Sequence, residues 1–172
     1  MKKIFLFLTV AGMLALQGCE GPEGPAGAPG EPGFSAEAEV FEVTGVNFTP
    51  ANDWFLTYTL NPVILQSDNV LIYELVNTND NIDTWAMLPQ IYYFAGGEAQ
   101  YNFSFSYDQF SIFIDSNLDF NTLPASFTTN KVFRIVIVPG YFSKGTQAVD
   151  HSDYNAVIEA YGIDDQNVKI LN

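Results

Sequence analysis

Residues 35–172 predict an all-β domain, a β-sandwich of about eight strands closed by one short C-terminal helix. Three observations predict it. Runs of β-branched and aromatic residues recur at intervals of roughly 8–15 residues, with Gly, Pro, Asn and Asp between them. Residues 100–107 put Tyr101, Phe103, Phe105 and Tyr107 on one side of an extended chain and Asn102, Ser104 and Ser106 on the other. Helical spacing stands out at one place, where Tyr154, Val157, Ile158 and Tyr161 fall at i, i+3, i+4 and i+7.

Each element follows from local chemistry. Residues 37–48 alternate acids with Ala38, Val40 and Val43, a first strand or pair of strands. Pro50-Ala51-Asn52-Asp53 is a turn. Trp54, Leu56, Tyr58 and Leu60 then alternate with Phe55, Thr57 and Thr59, a strand that Asn61-Pro62 ends. Residues 70–76 are almost wholly apolar, as a central strand buried on both faces requires. Residues 77–83 read as a polar loop, and residues 85–94, with Leu88-Pro89, as an edge strand or the start of one. Gly96-Gly97 marks a hairpin turn before the aromatic strand. Residues 110–114 form a short strand, 115–129 a long irregular connection, and 132–138 a second central strand stopped by Pro139-Gly140. Asp150 or Ser152 can cap the helix and Gly162 can close it, and a last short strand lies within 167–171. An Ig-like and a jelly-roll-like arrangement both fit this order.

The first 34 residues have a different logic. Met1-Lys2-Lys3 and the apolar run of residues 4–16 have the layout of a secretory signal, a basic start followed by an apolar stretch. That stretch is too short to cross a bilayer, which takes about 20 residues. Leu16-Gln17-Gly18-Cys19 follows, and it resembles the lipobox of bacterial lipoproteins. The resemblance implies that a signal peptidase reads Leu16, Gln17 and Gly18, that residues 1–18 are removed, and that Cys19 carries a covalent lipid as the first mature residue. Each buried methylene contributes about 0.8 kcal/mol, so two or three acyl chains anchor durably where one is marginal. Cys19 is the sole cysteine, which excludes an intrachain disulfide.

Residues 19–34 form a linker in which Gly21, Gly24, Gly27, Gly30 and Gly33 fall every third place with four prolines between them. The pattern resembles collagen Gly-X-Y repeats. One reading is a polyproline-II spacer that reaches roughly 40 Å at about 3.1 Å per residue, beneath a monomeric domain. The other is the seed of a homotrimer, since lipid anchoring raises the effective concentration of neighbouring chains.

Charge narrows the partners. Removing residues 1–18 takes away Lys2 and Lys3 and no acid, leaving 20 acidic and 4 basic residues and a net charge of −16. Such a surface repels nucleic acid and anionic lipid head groups.

Chemistry-bearing constellations are few. Asp150-His151-Ser152-Asp153 holds the only histidine, but Ser-His-Asp catalysis needs groups converging from separate segments, and Ser and Asp at a helix start are caps. Asn77, Asn79, Asp80, Asn81 and Asp83 offer oxygen ligands for Ca²⁺, without the spacing or the glycine of an EF-hand; a solvated turn explains the same residues. Trp54 and Trp85 are candidates for stacking on a ligand, and both also suit a core. No cofactor motif and no catalytic residue set is present, so no enzyme activity is expected.

Residues 132–141, the Asp153-Tyr154-Asn155-Ala156-Val157 helix, Leu71-Ile72-Tyr73-Glu74-Leu75 and the Trp85…Leu88-Pro89 segment together resemble a group of Bacteroidetes outer-membrane lipoproteins with a short collagen-like tether. That resemblance implies a location in the bacterial envelope, with exposure at the cell surface where the acids following Cys19 act as an export signal. It implies no activity. The expected function is a membrane-anchored interaction or structural module; the alternative is a carbohydrate- or peptide-binding lipoprotein that serves an outer-membrane transporter.

Overall fold

The computed structural model describes residues 38–140, 149–166 and 168–171. The lipobox, the glycine triplets and Cys19 lie outside the described residues. Among the described residues nine strands form two sheets. β1 (Glu39–Val46), β3 (Asn69–Asn79), β4 (Ile82–Met87), β8 (Lys131–Val138) and β9 (Lys169–Leu171) make one, in the order β4-β3-β8-β1-β9. β2 (Phe55–Thr59), β5 (Gln90–Phe94), β6 (Gly97–Phe105) and β7 (Gln109–Ser116) make the other, in the order β2-β7-β6-β5. Pairing is antiparallel except where β9 runs parallel to β1. The all-β sandwich with a short helix is therefore the observed class.

The two central strands are buried on both faces, as their apolar runs demand. In β8, Phe133, Ile135 and Ile137 enter the core between the sheets, while Val136 and Val138 enter a second cluster on the opposite face. In β3, Val70 and Ile72 face inward and Leu71 and Tyr73 outward. Helix α2 (Tyr154–Tyr161) covers that outer cluster with Tyr154 and Val157. The molecule is thus layered as helix, five-stranded sheet and four-stranded sheet. Rings dominate the inter-sheet core; Tyr101 stacks on Phe127 of the short helix α1 (Ala125–Thr128) at 4.4 Å between centroids and meets Phe133 edge-on at 5.4 Å.

Four local expectations change. Residues 77–83 are not a loop, because β3 continues to Asn79 and β4 begins at Ile82. Asp80 and Asn81 alone turn the chain, at φ 50° and 61°, the left-handed pair that a two-residue hairpin needs and that Asp and Asn tolerate. Residues 85–94 divide at Pro89 into β4 and β5, which belong to different sheets. The helix cap is Asp153, which accepts from the Asn155 and Ala156 amides, rather than Asp150 or Ser152; Asp150 instead accepts from Ser152 within the preceding turn. The aromatic stripe of β6 is core only in part: Tyr101 is buried, but Phe105 and Tyr107 emerge at 41% and 50% exposure where the sheet runs out.

Glycine is obligatory where β8 ends. A Cβ on Gly140 would lie 1.5 Å from the carbonyl oxygen of Ser67, a backbone atom with no freedom to swing aside. Gly140→Ala is therefore expected to lower stability by about 1–3 kcal/mol, read as a lowered urea midpoint with an unchanged m-value.

Candidate functional site

The two sheets expose their outer faces differently. The five-stranded sheet is roofed by α2, and its polar groups are consumed in holding that roof. The Arg134 guanidinium lies 4.2 Å from the Trp85 ring and 5.2 Å from Tyr154. Its Nε donates to Glu42 at 2.8 Å, and Nη1 donates to the Tyr154 hydroxyl at 2.5 Å and to Asp165 at 3.3 Å. The Tyr73 hydroxyl donates to the His151 carbonyl at 2.7 Å. Burial pushes the Tyr73 and Tyr154 hydroxyls well above the ordinary tyrosine range.

A second buried polar group lies in the inter-sheet core. Glu74, fully buried, accepts from the Tyr92 hydroxyl at 2.7 Å through Oε2. The Lys131 ammonium is 2.8 Å from Oε1 but off the line of a hydrogen bond, so that contact is ionic. The partners in both networks come from within the chain, and Glu74 Oε1 meets the Lys131 charge without a hydrogen bond.

The outer face of the four-stranded sheet is different. Alternation along β2, β7, β6 and β5 sends Leu56, Tyr58, Ile112, Ile114 and Tyr101 inward and leaves a second set outside. Strand register arranges that second set in rows. Thr57, Ser111 and Ser104 form one, with the Thr57 and Ser111 hydroxyls 2.9 Å apart. Phe55, Phe113 and Asn102 form the next, its two rings stacked at 5.2 Å and 15°. Asp115, Gln100 and Ile91 follow, then Glu98 and Tyr93. Phe55 is 45% exposed, Ile91 44% and Tyr93 81%. A shallow cavity of about 220 Å³ opens among Ile91, Glu98, Gln100, Asp115 and Asn117 on the same face.

Charge singles out this face further. Between Lys3 and Lys131 the chain contains no lysine, arginine or histidine, so the whole four-stranded sheet is free of cations. The cations it lacks stand on the other sheet, as Lys131, Arg134 and Lys169.

The residues singled out in sequence go elsewhere. Trp54 has a left-handed backbone, φ 53°, and its ring packs on Phe120 at 4.9 Å between centroids. Trp85 is spent on Arg134 and on Tyr154, whose ring is 5.8 Å away. Neither lines the cavity. Asn77, Asn79, Asp80, Asn81 and Asp83 are spread along the β3–β4 hairpin, where Thr78 donates to Asp83 at 2.7 Å. Among the described residues no three of His, Cys, Asp and Glu converge on one point. Residue type alone does not single out Phe55, Phe113 and Tyr93 in the sequence. Their signal was present as the outward half of each strand's alternation, hidden because aromatic residues occupy the inward half as well.

No helix among the described residues is long and apolar enough to cross a membrane. No protein family, curated protein or solved structure matches this chain.

Proposed function

We propose that this chain is a lipid-anchored protein of a bacterial outer membrane, whose β-sandwich is a non-catalytic interaction or structural module carried on residues 19–34. One observation carries the reading: a basic start, a short apolar run and Leu16-Gln17-Gly18 stand in that order directly before the chain's sole cysteine. The glycine triplets act as a spacer beneath a monomer. The outer face of the four-stranded sheet supports an interaction role, because it carries the stacked Phe55 and Phe113 pair and leaves Phe55, Ile91 and Tyr93 in water. The exposed Val76, Ile82 and Ile170 of the other sheet lie outside the cluster that α2 covers.

Cell fractionation tests the anchor. Wild-type chain is expected in the membrane fraction and Cys19→Ser in the soluble fraction; equal partitioning of the two would refute lipid anchoring.

A second reading, capture of a carbohydrate or peptide for an outer-membrane transporter, is favoured by one feature. The stacked Phe55 and Phe113 rings lie on one face with the Thr57 and Ser104 hydroxyls and the Asn102 and Gln100 amides.

A further inference from the structure

We infer that the outer face of the four-stranded sheet binds a neutral polysaccharide across β2, β7, β6 and β5. The inference rests on the interaction-module reading and names what that module takes.

Charge decides first. With no cation anywhere from residue 4 to residue 130, and with Glu98 and Asp115 bordering the cavity, this face repels sulfated, phosphorylated and uronic-acid polymers. Its remaining polar groups are uncharged. Thr57 and Ser104 offer hydroxyls and Asn102 and Gln100 offer amides, each able to donate and to accept, while Ser111 is buried with its hydroxyl 2.9 Å from that of Thr57. A sugar hydroxyl also does both, whereas an anion only accepts and an ammonium only donates.

Apolar groups decide next. Phe55 and Phe113 present a two-ring patch, continued by Asn102, between the hydroxyl row and the row of Asp115, Gln100 and Ile91, and Tyr93 stands at the far edge of the sheet. A sugar ring has apolar C–H faces and a polar rim, which matches a narrow ring patch flanked by hydrogen-bonding groups. A protein partner would call for a broader apolar centre. The cavity of about 220 Å³ is open and shallow, as suits a segment of polymer lying across strands. The groups stand on paired strands about 4.8 Å apart, so little ordering is required on binding.

Affinity electrophoresis of the detergent-extracted full chain tests this. Native gels would contain hydroxyethylcellulose, laminarin, amylopectin, galactomannan or xylan, with alginate and polygalacturonate as the anionic arm. Retardation is expected in at least one neutral gel and in neither anionic gel. Tyr93→Ala and Gln100→Ala, both at positions outside the core, are expected to weaken that retardation roughly three- to tenfold. Ile82→Ala, 70% exposed on the other sheet, is expected to leave it unchanged. No retardation in any of the five neutral gels overturns the proposal, as does retardation that Tyr93→Ala and Gln100→Ala leave intact. Binding to polylysine beads without binding to any glycan also overturns it, while leaving the interaction-module reading standing. Loss of membrane anchoring in the fractionation experiment would not alter the gel result, so the two failures are distinguishable.

Discussion

Arg134→Ala is expected to lower the stability of the domain by about 3–5 kcal/mol, the range for removing one partner of a buried ion pair. The side chain is 9% exposed, and its acidic partners Glu42 and Asp165 are 18% and 24% exposed. Alanine would strand both carboxylates beside an apolar cluster, vacate the surface of Trp85, and leave the Tyr154 hydroxyl without its donor. Burial alone would disfavour the guanidinium charge; the hydrogen bonds with Glu42 and Tyr154 outweigh that and hold it protonated. Small domains are stable by about 5–15 kcal/mol, so this one change consumes a large part of the total. Urea denaturation followed by tryptophan fluorescence measures it, since Trp85 reports the site directly. Arg134→Met, which keeps the stem packed on Trp85 and removes only the charge, is expected to cost less than alanine. A loss below about 1 kcal/mol for alanine would mean that solvent already screens the network.

Alkaline unfolding is the second large effect. Tyr73, Tyr101 and Tyr154 are buried, and each hydroxyl is pushed far above the ordinary value of 10.0. Burial is the main cause in all three; nearby acids add to it, Glu74 for Tyr101 and Asp165 for Tyr154, while Arg134 pulls Tyr154 partly back. A hydroxyl raised in the folded state holds its proton after the unfolded chain has released it. Its contribution is therefore complete below about pH 10 and is lost as pH rises beyond that. Each such group costs about 1.4 kcal/mol per pH unit, so three together remove roughly 4 kcal/mol for each unit above 10. Tyrosinate absorbance and loss of strand circular dichroism should rise together in one steep step. Full ionisation of all tyrosines in a chain that keeps its native spectrum would contradict the assigned burial.

Much of this fold is legible in sequence for a physical reason. A strand buried on both faces has little room for polar residues, so residues 70–76 and 132–138 declare themselves, and Gly162 is placed by the left-handed turn it must make. The β3–β4 hairpin was obscured because its exposed strand ends are written in the same Asn, Thr and Asp that mark loops. The break at Pro89 needed knowledge of which sheet each half joins, and that is set by contacts distant in sequence. Glu74 reads as a surface acid until its partners Tyr92 and Lys131 are brought to it by pairing. The candidate face is harder still. Alternation puts Phe55 and Tyr58 on opposite sides of β2, but both are aromatic, so residue type does not say which side is packed and which faces water.

Fatty-acid labelling tests the proposed lipid anchor on Cys19 most directly. Cells expressing wild-type chain and Cys19→Ser would be grown with an alkyne-tagged fatty acid, and the purified chains read for label and intact mass. Label is expected on the wild type alone, on a chain that begins at an acylated Cys19 and lacks residues 1–18. Unlabelled wild-type chain, or a mature terminus at any other residue, would contradict it.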